Sequence, residues 1–139
     1  MSNLQVHFSS NNNEWATPQA FFNELNKEFN FTLDPCATKE NAKCAKFYTQ
    51  EDNGLIQSWD NEIVFVNPPY GRSIKHWVKK ASEATGGVVV LLIPARTDTT
   101  YFHDYIYNKS EIQFIRGRLK FGGHTNSAPF PSMVVVFRN

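Results

Sequence analysis

Residues 64–73 read VFVNPPYGRS, an apolar run that ends in Asn67-Pro68-Pro69-Tyr70. Proline has no N–H to give to a sheet ladder, so two in succession stop a strand. An amide, two prolines and an aromatic ring in that order suit methyl transfer to an exocyclic amine such as that of adenine. The lone pair of that amine is delocalised into the ring, which makes it a poor nucleophile. Two acceptors aimed at its two N–H bonds favour a tetrahedral nitrogen with a localised lone pair. The side-chain oxygen of Asn67 supplies one acceptor and the backbone carbonyl of Pro68 the other. The prolines keep the loop rigid, so both are in place before reaction. Tyr70 offers a ring to stack on the target base, which must leave the duplex to be reached. The competing reading is a strand followed by a Pro-Pro turn and a packed tyrosine.

A second polar signature closes another apolar stretch. FNFTLDP alternates apolar residues and stops at Asp34-Pro35. Ligands of open α/β sheets bind beyond the carboxyl ends of strands. If the two strands are neighbours, Asp34 and Asn67 share one crevice, where a carboxylate suits a ligand with an amine or hydroxyls. The alternative for Asp34 is a turn in which the side chain bonds its own backbone.

The elements that must position these groups follow from periodicity. Thr17-Pro18 reads as a helix cap followed by proline at the first helical position. QAFFNELNKEF then places Phe21, Phe22, Leu25 and Phe29 on one face. SIKHWVKKASEAT is a helix with Ile74, Trp77, Val78 and Ala81 inward, closed by Gly86-Gly87. DTTYFHDYIYN reads as helical with Asp98 as a cap, and a short extended piece falls near Phe47-Tyr48. EIVFVNPP, VVVLLIP, IQFIRG and SMVVVFRN are strands, several of them unbroken apolar runs. Strands alternating with helices predict an α/β domain with a largely parallel sheet covered on both faces. The predicted layout is a polar, flexible stretch at 1–13 and one domain over 14–139.

Bulk composition narrows the class. The 139 residues carry a net charge of +1, 41% apolar residues and twelve Phe, which is a folding composition. Cys36 and Cys44 are the only cysteines and form no CxxC pair, so no metal site is expected and two reduced thiols are. No secretory signal or membrane-length apolar run is seen, and the reading is a soluble, cytoplasmic protein.

Taken together, EWATP, FTLDPCATKENAKCAKFYT, FVNPPYG, LLIPARTDTTYFHDY, IRGRLKFGG and NSAPFPSMVVVF resemble, in order, the phage and prophage DNA N-6-adenine methyltransferase (Dam) family. The resemblance implies a Rossmann-like methyltransferase fold, S-adenosylmethionine as donor, and adenine in double-stranded DNA as acceptor, with GATC as a plausible site. It implies a phage-encoded or prophage enzyme in a bacterial host; the oligomeric state, a homodimer reading a palindrome or a monomer acting on each strand in turn, stays open on these residues. Carried over by residue, Asn67, Pro68, Pro69 and Tyr70 form the catalytic loop. Asp34 takes the cofactor-binding position, with Pro35 and Cys36 lining the same turn. Trp15, Thr17 and Pro18 match the segment that closes over the methionine part of the cofactor. The chain departs from the wider methyltransferase pattern in having DPCATKEN, without glycine, after the first strand. Only about thirty residues separate Asp34 from the NPPY strand, so the acid for the cofactor ribose falls to Glu51 or Asp52, whose alternative is a solvated turn.

Charge placement marks the expected DNA surface. Arg116, Arg118 and Lys120 sit in a glycine-containing segment and suit phosphate contact or base readout. Arg72 and Arg96 follow strand ends, whereas Lys75, Lys79 and Lys80 read as the wet face of a helix. His124, Asn126, Ser127 and Phe130 are candidates to line the target pocket. Two other functions stay open on these residues. One is an NPPY methyltransferase acting on RNA or on protein glutamine; the other is a DNA-binding module of the same fold with weak catalysis.

Overall fold

Apolar residues recurring at helical spacing make one face of α1 (Gln19–Phe29) in the computed structural model, which describes residues 15–122 and 126–139. Phe22 is buried, and Phe21, Leu25 and Phe29 pack against the core beside it. The helix ends at Asn30, whose left-handed φ of 56° turns its N–H back onto the Asn26 carbonyl. Its start corrects an expectation. Pro18 is the cap residue, and among the described residues no side chain caps the helix, because the Thr17 hydroxyl is engaged elsewhere.

Among the described residues, four strands form one sheet: β1 (Ile63–Val66), β2 (Val88–Pro94), β3 (Glu111–Phe114) and β4 (Ser132–Arg138), in the spatial order β1-β2-β4-β3. β1 and β2 are parallel, and β4 runs antiparallel to both β2 and β3. The sheet is therefore mixed, not mostly parallel. A parallel neighbour needs a long crossover, usually a helix, and α2 (Ile74–Glu83) supplies one between β1 and β2. No described helix lies between β3 and β4, and the chain returns antiparallel. The unbroken apolar run of β4 reflects its central place, with six of its seven residues buried.

The predicted strand before Asp34 shrinks to two bridging residues. Leu33 pairs in parallel with Val64, and Asp34 with Phe47. Phe65 N–H donates to the Leu33 carbonyl at 3.0 Å, and Tyr48 N–H to the Asp34 carbonyl at 3.0 Å. These contacts extend the sheet past β1. The short extended piece near Phe47 is thus present.

α2 buries Ile74, Trp77, Val78 and Ala81 as its spacing predicts. It ends at Ala84, and Gly86 turns the chain into β2 at φ 77°. A Cβ at Gly87 would lie 2.1 Å from the Glu62 carbonyl oxygen, so the start of β2 can lie this close to the chain entering β1 only as glycine. After β2, Phe102–Ile106 forms a π-type helical turn. Tyr101 is its cap residue, and it is the Thr99 hydroxyl, not Asp98, that accepts the Phe102 N–H just inside it, at 3.3 Å.

Because two antiparallel steps restore direction, β3 runs parallel to β1 and β2. The chain therefore leaves all three strands, and the Leu33-Asp34 bridge, at one edge of the sheet. Asn67, Arg72, Arg96, Arg116, Arg118 and Lys120 follow these ends, and Asp34 lies at one of them, whereas Trp15, Thr17 and Pro18 precede every strand.

Candidate active site

A cleft of about 1020 Å³ opens at that edge. Its walls come from the segment 15–17, the loop 34–43, the turn at 49–54 and the loop 67–69, with Gly122 at one side. The expected crevice between Asp34 and Asn67 is this cleft.

Asn67 follows β1, and its side chain is turned by an upstream segment. Nδ2 donates to the Trp15 carbonyl and to Thr17 Oγ1, the latter at 3.0 Å. Thr17 is buried and half-buried Trp15 packs edge-on against Phe130 at 5.1 Å. With both hydrogens of the amide used, Oδ1 is left buried with no hydrogen-bond partner among the described residues. A buried acceptor without a donor is expensive. Pro68 and Pro69 line the cleft beside it.

Asp34 is 4% exposed, and both carboxylate oxygens accept from backbone. Oδ1 takes Cys36 N–H at 3.3 Å and Oδ2 takes Lys43 N–H at 3.0 Å. Burial pushes its carboxyl up to about 6, while those N–H groups and the Lys43 charge pull it down. The turn reading and the cleft reading of Asp34 thus coexist: one carboxylate shapes the 34–43 loop and lines the cleft. Pro35 and Cys36 line it as well. Gly54 closes the far side, where a Cβ would meet the Pro35 carbonyl oxygen at 2.0 Å. Its importance escaped sequence reading, since a lone glycine in EDNGLI signals only a turn.

The acidic pair separates. Glu51 lines the cleft, whereas Asp52 turns onto its own loop and accepts from Thr49 N–H at 2.9 Å and Thr49 Oγ1 at 3.1 Å. Asp52 is outside the lining. Pro18 is outside it too; its carbonyl accepts Phe22 N–H in the first turn of α1. Cys44 is half-buried, and burial with the Asp34 charge pushes its thiol up to about 12, which keeps it protonated and unreactive.

Tyr70 is placed otherwise than a stacking platform would be. It is 6% exposed, its hydroxyl donates to the Leu92 carbonyl at 3.1 Å, and its ring meets Phe130 edge-on at 5.5 Å. The buried ring braces the 67–70 loop from inside the core and is not placed to stack on a base. The tetrapeptide ends in the core because a buried tyrosine needs a partner for its hydroxyl, and the Leu92 carbonyl supplies it.

The cations lie at the shared edge and in solvent. Arg72 follows β1, Arg96 follows β2, and Arg116, Arg118 and Lys120 follow β3; all five are exposed, and none forms an ion pair among the described residues. Ala128 N–H donates to the Leu119 carbonyl at 2.8 Å and pinches off a loop that carries Lys120 and exposed Asn126 and Ser127. His124 lies outside the described residues. Of the helix lysines, Lys79 pairs with Glu83 at 2.9 Å and Lys80 rests over the Trp59 ring at 5.5 Å, consistent with a solvated face. Among the described residues, no group of three or more His, Cys, Asp or Glu could hold a metal ion, and no helix is long and apolar enough to cross a membrane.

A family model described as DNA N-6-adenine-methyltransferase (Dam) matches residues 5–139. The chain belongs to that family. Adenine-N6 methylation of DNA is the activity the family carries. This Dam-family chain is 32% identical over 133 residues to the DNA N-6-adenine-methyltransferase of Haemophilus phage HP1, covering 88% of this chain and 77% of the relative. It is 37% identical over 109 residues to the protein of the same name from Escherichia phage T1, covering 76% of this chain but 45% of that longer protein. A putative methyltransferase, YfdM, of Escherichia coli K12 matches at 41% over 64 residues, 41% of this chain and 70% of the relative.

Proposed function

We propose that the cleft holds S-adenosylmethionine beside Asn67, and that the chain methylates the exocyclic amine of an adenine extruded from double-stranded DNA. The observation that carries this reading is the Oδ1 of Asn67, buried and without a partner among the described residues. The cleft volume falls at the upper end of ordinary ligand pockets, about 300–1,000 Å³, enough for a nucleoside-sized cofactor with room at one side for a base. Asp34, which leaves the sheet on the piece paired with β1 and lines the same cleft, offers a carboxylate that is largely ionised at neutral pH, which suits a cationic ligand. These donors and acceptors fit the cofactor, and the four strands with their flanking helices are consistent with a pared-down Rossmann-like core.

Bound there, S-adenosylmethionine supplies a methyl group on a positively charged sulfur, which makes that carbon electrophilic. Asn67 Oδ1 accepts one N–H of the adenine amine, and the Pro68 carbonyl accepts the other. The two acceptors pull the nitrogen lone pair out of conjugation. They also stabilise the positive charge that develops as nitrogen gains its fourth bond. The extra proton then leaves to solvent. Arg116, Arg118 and Lys120, with Arg72 and Arg96, hold phosphates along the sheet edge, and Asn126 and Ser127 approach the bases. The phage and bacterial relatives support a place of action in the bacterial cytoplasm.

The test is transfer of a labelled methyl group to unmethylated DNA, RNA and protein offered in parallel, followed by mapping of modified adenines in a random DNA library. Label in DNA adenines within one short sequence context is the expected result. Label confined to RNA or protein would overturn the reading.

A further inference from the structure

The segment 15–17 does more than wall the cleft. We infer that Thr17, together with the Trp15 carbonyl, is a positioning residue that fixes the Asn67 amide with its oxygen, and not its nitrogen, toward the target amine. This rests on reading Asn67 as the acceptor for that amine.

A side-chain amide turns about its last bond with a broad, two-fold preference. Nothing in Asn67 itself selects one orientation. In the turned orientation its NH₂ would face the NH₂ of adenine, donor against donor. Its oxygen would face the Trp15 carbonyl, which can only accept. The Trp15 carbonyl therefore rejects the turned amide. Thr17 Oγ1 takes the second hydrogen at 3.0 Å and sets the plane. Thr17 is 6% exposed, so water does not readily stand in for it.

Two further observations show that the holder is itself held. Ala16 pairs with Gly122, whose N–H donates to the Ala16 carbonyl at 2.8 Å. The Trp15 ring sits edge-on to Phe121 at 5.6 Å and to Phe130 at 5.1 Å. The segment that orients Asn67 is thus bolted to the loop carrying Lys120, Asn126 and Ser127. The helix that follows lacks a side-chain cap at its start, which leaves the Thr17 hydroxyl to Asn67.

The experiment compares Thr17→Val, which keeps the shape and removes the acceptor, with Thr17→Ser, which keeps the acceptor. Cofactor dissociation constants, DNA KM and kcat are measured for each, and thermal unfolding reports folding. Thr17→Val is expected to lower kcat about ten- to a hundredfold, as loss of an orienting partner does elsewhere, with cofactor affinity within about twofold. Thr17→Ser is expected to restore most of kcat. If Thr17→Val does not fold, Thr17→Ala takes its place. Wild-type kcat in the valine chain, or a loss that lies wholly in cofactor affinity, would overturn the inference. Asn67→Ala separates the two levels: if it too keeps its rate, the reading of Asn67 falls; if it is slow while Thr17→Val is not, only the positioning role falls. Adding Thr17→Val to Asn67→Ala should cost little more, because the two act as one unit.

Discussion

The carboxylate of Asp34 accepts the backbone N–H of Lys43 at 3.0 Å, so the acid that leaves the sheet beside Asn67 also closes the loop in front of the cleft. Burial raises this carboxyl from an ordinary 3.8 to about 6. Between those values the folded chain keeps a proton that the unfolded chain releases. The stability this group contributes is therefore greatest below pH 3.8, declines as pH rises through about 6, and is level above it. The change is on the order of 3 kcal/mol at about 1.4 kcal/mol per pH unit. Asp34→Asn lacks this titration, so urea unfolding of the two proteins from pH 4 to 7 should show the difference between them moving toward the variant as pH rises. Cofactor affinity should weaken below about pH 6 in the wild type and lose that dependence in the variant.

Asn67→Ala removes the acceptor proposed to meet the adenine amine. A preorganised contact of this kind is worth about 10²–10³ in kcat, or roughly 2.7–4 kcal/mol. Single-turnover methylation at saturating cofactor and DNA reads this directly. A rate within tenfold of wild type would remove Asn67 from the reaction.

Tyr70→Phe separates ring from hydroxyl. It deletes the bond to the Leu92 carbonyl and keeps the edge contacts with Phe121 and Phe130. Thermal unfolding should show a loss of about 1 kcal/mol, with the methylation rate within about threefold of wild type. Tyr70→Ala leaves a cavity in that aromatic wall and should cost about 3–5 kcal/mol.

Arg116→Ala and Arg118→Ala should weaken DNA binding without regard to sequence, because these cations leave β3 exposed and unpaired among the described residues. Each should reduce the slope of log binding constant against log salt by about 1 if it neutralises a phosphate. Fluorescence anisotropy of labelled duplexes between 50 and 200 mM salt, about the usual range for such plots, measures it. A variant whose loss is confined to one DNA sequence would instead be reading a base.

Several of these placements were legible before any coordinates. The two apolar runs ending at Asn67 and Pro94 read as strands, and Ile74, Trp77, Val78 and Ala81 as a helix face, because local periodicity reports burial directly. The direction of β4 was not legible: MVVVF is apolar throughout because it lies between β2 and β3, and burial on both faces does not encode parallel or antiparallel. Asp52 and Glu51 are neighbours of equal chemistry, and only the turn that carries Asp52 back onto Thr49 distinguishes them.

The sequence by itself determined that a strand stops on Asn-Pro-Pro-Tyr at the edge of an α/β sheet, and that an acid closes a second apolar stretch. Both follow from short-range physics: proline's missing N–H and the spacing of apolar side chains. Only the tertiary structure decided that Tyr70 turns inward to the Leu92 carbonyl, and that Thr17 gives its hydroxyl to Asn67 across 50 residues of chain instead of to its own helix. Those choices depend on which groups meet in space. A buried hydroxyl or amide takes the partner that folding brings to it, and local residue type does not name that partner.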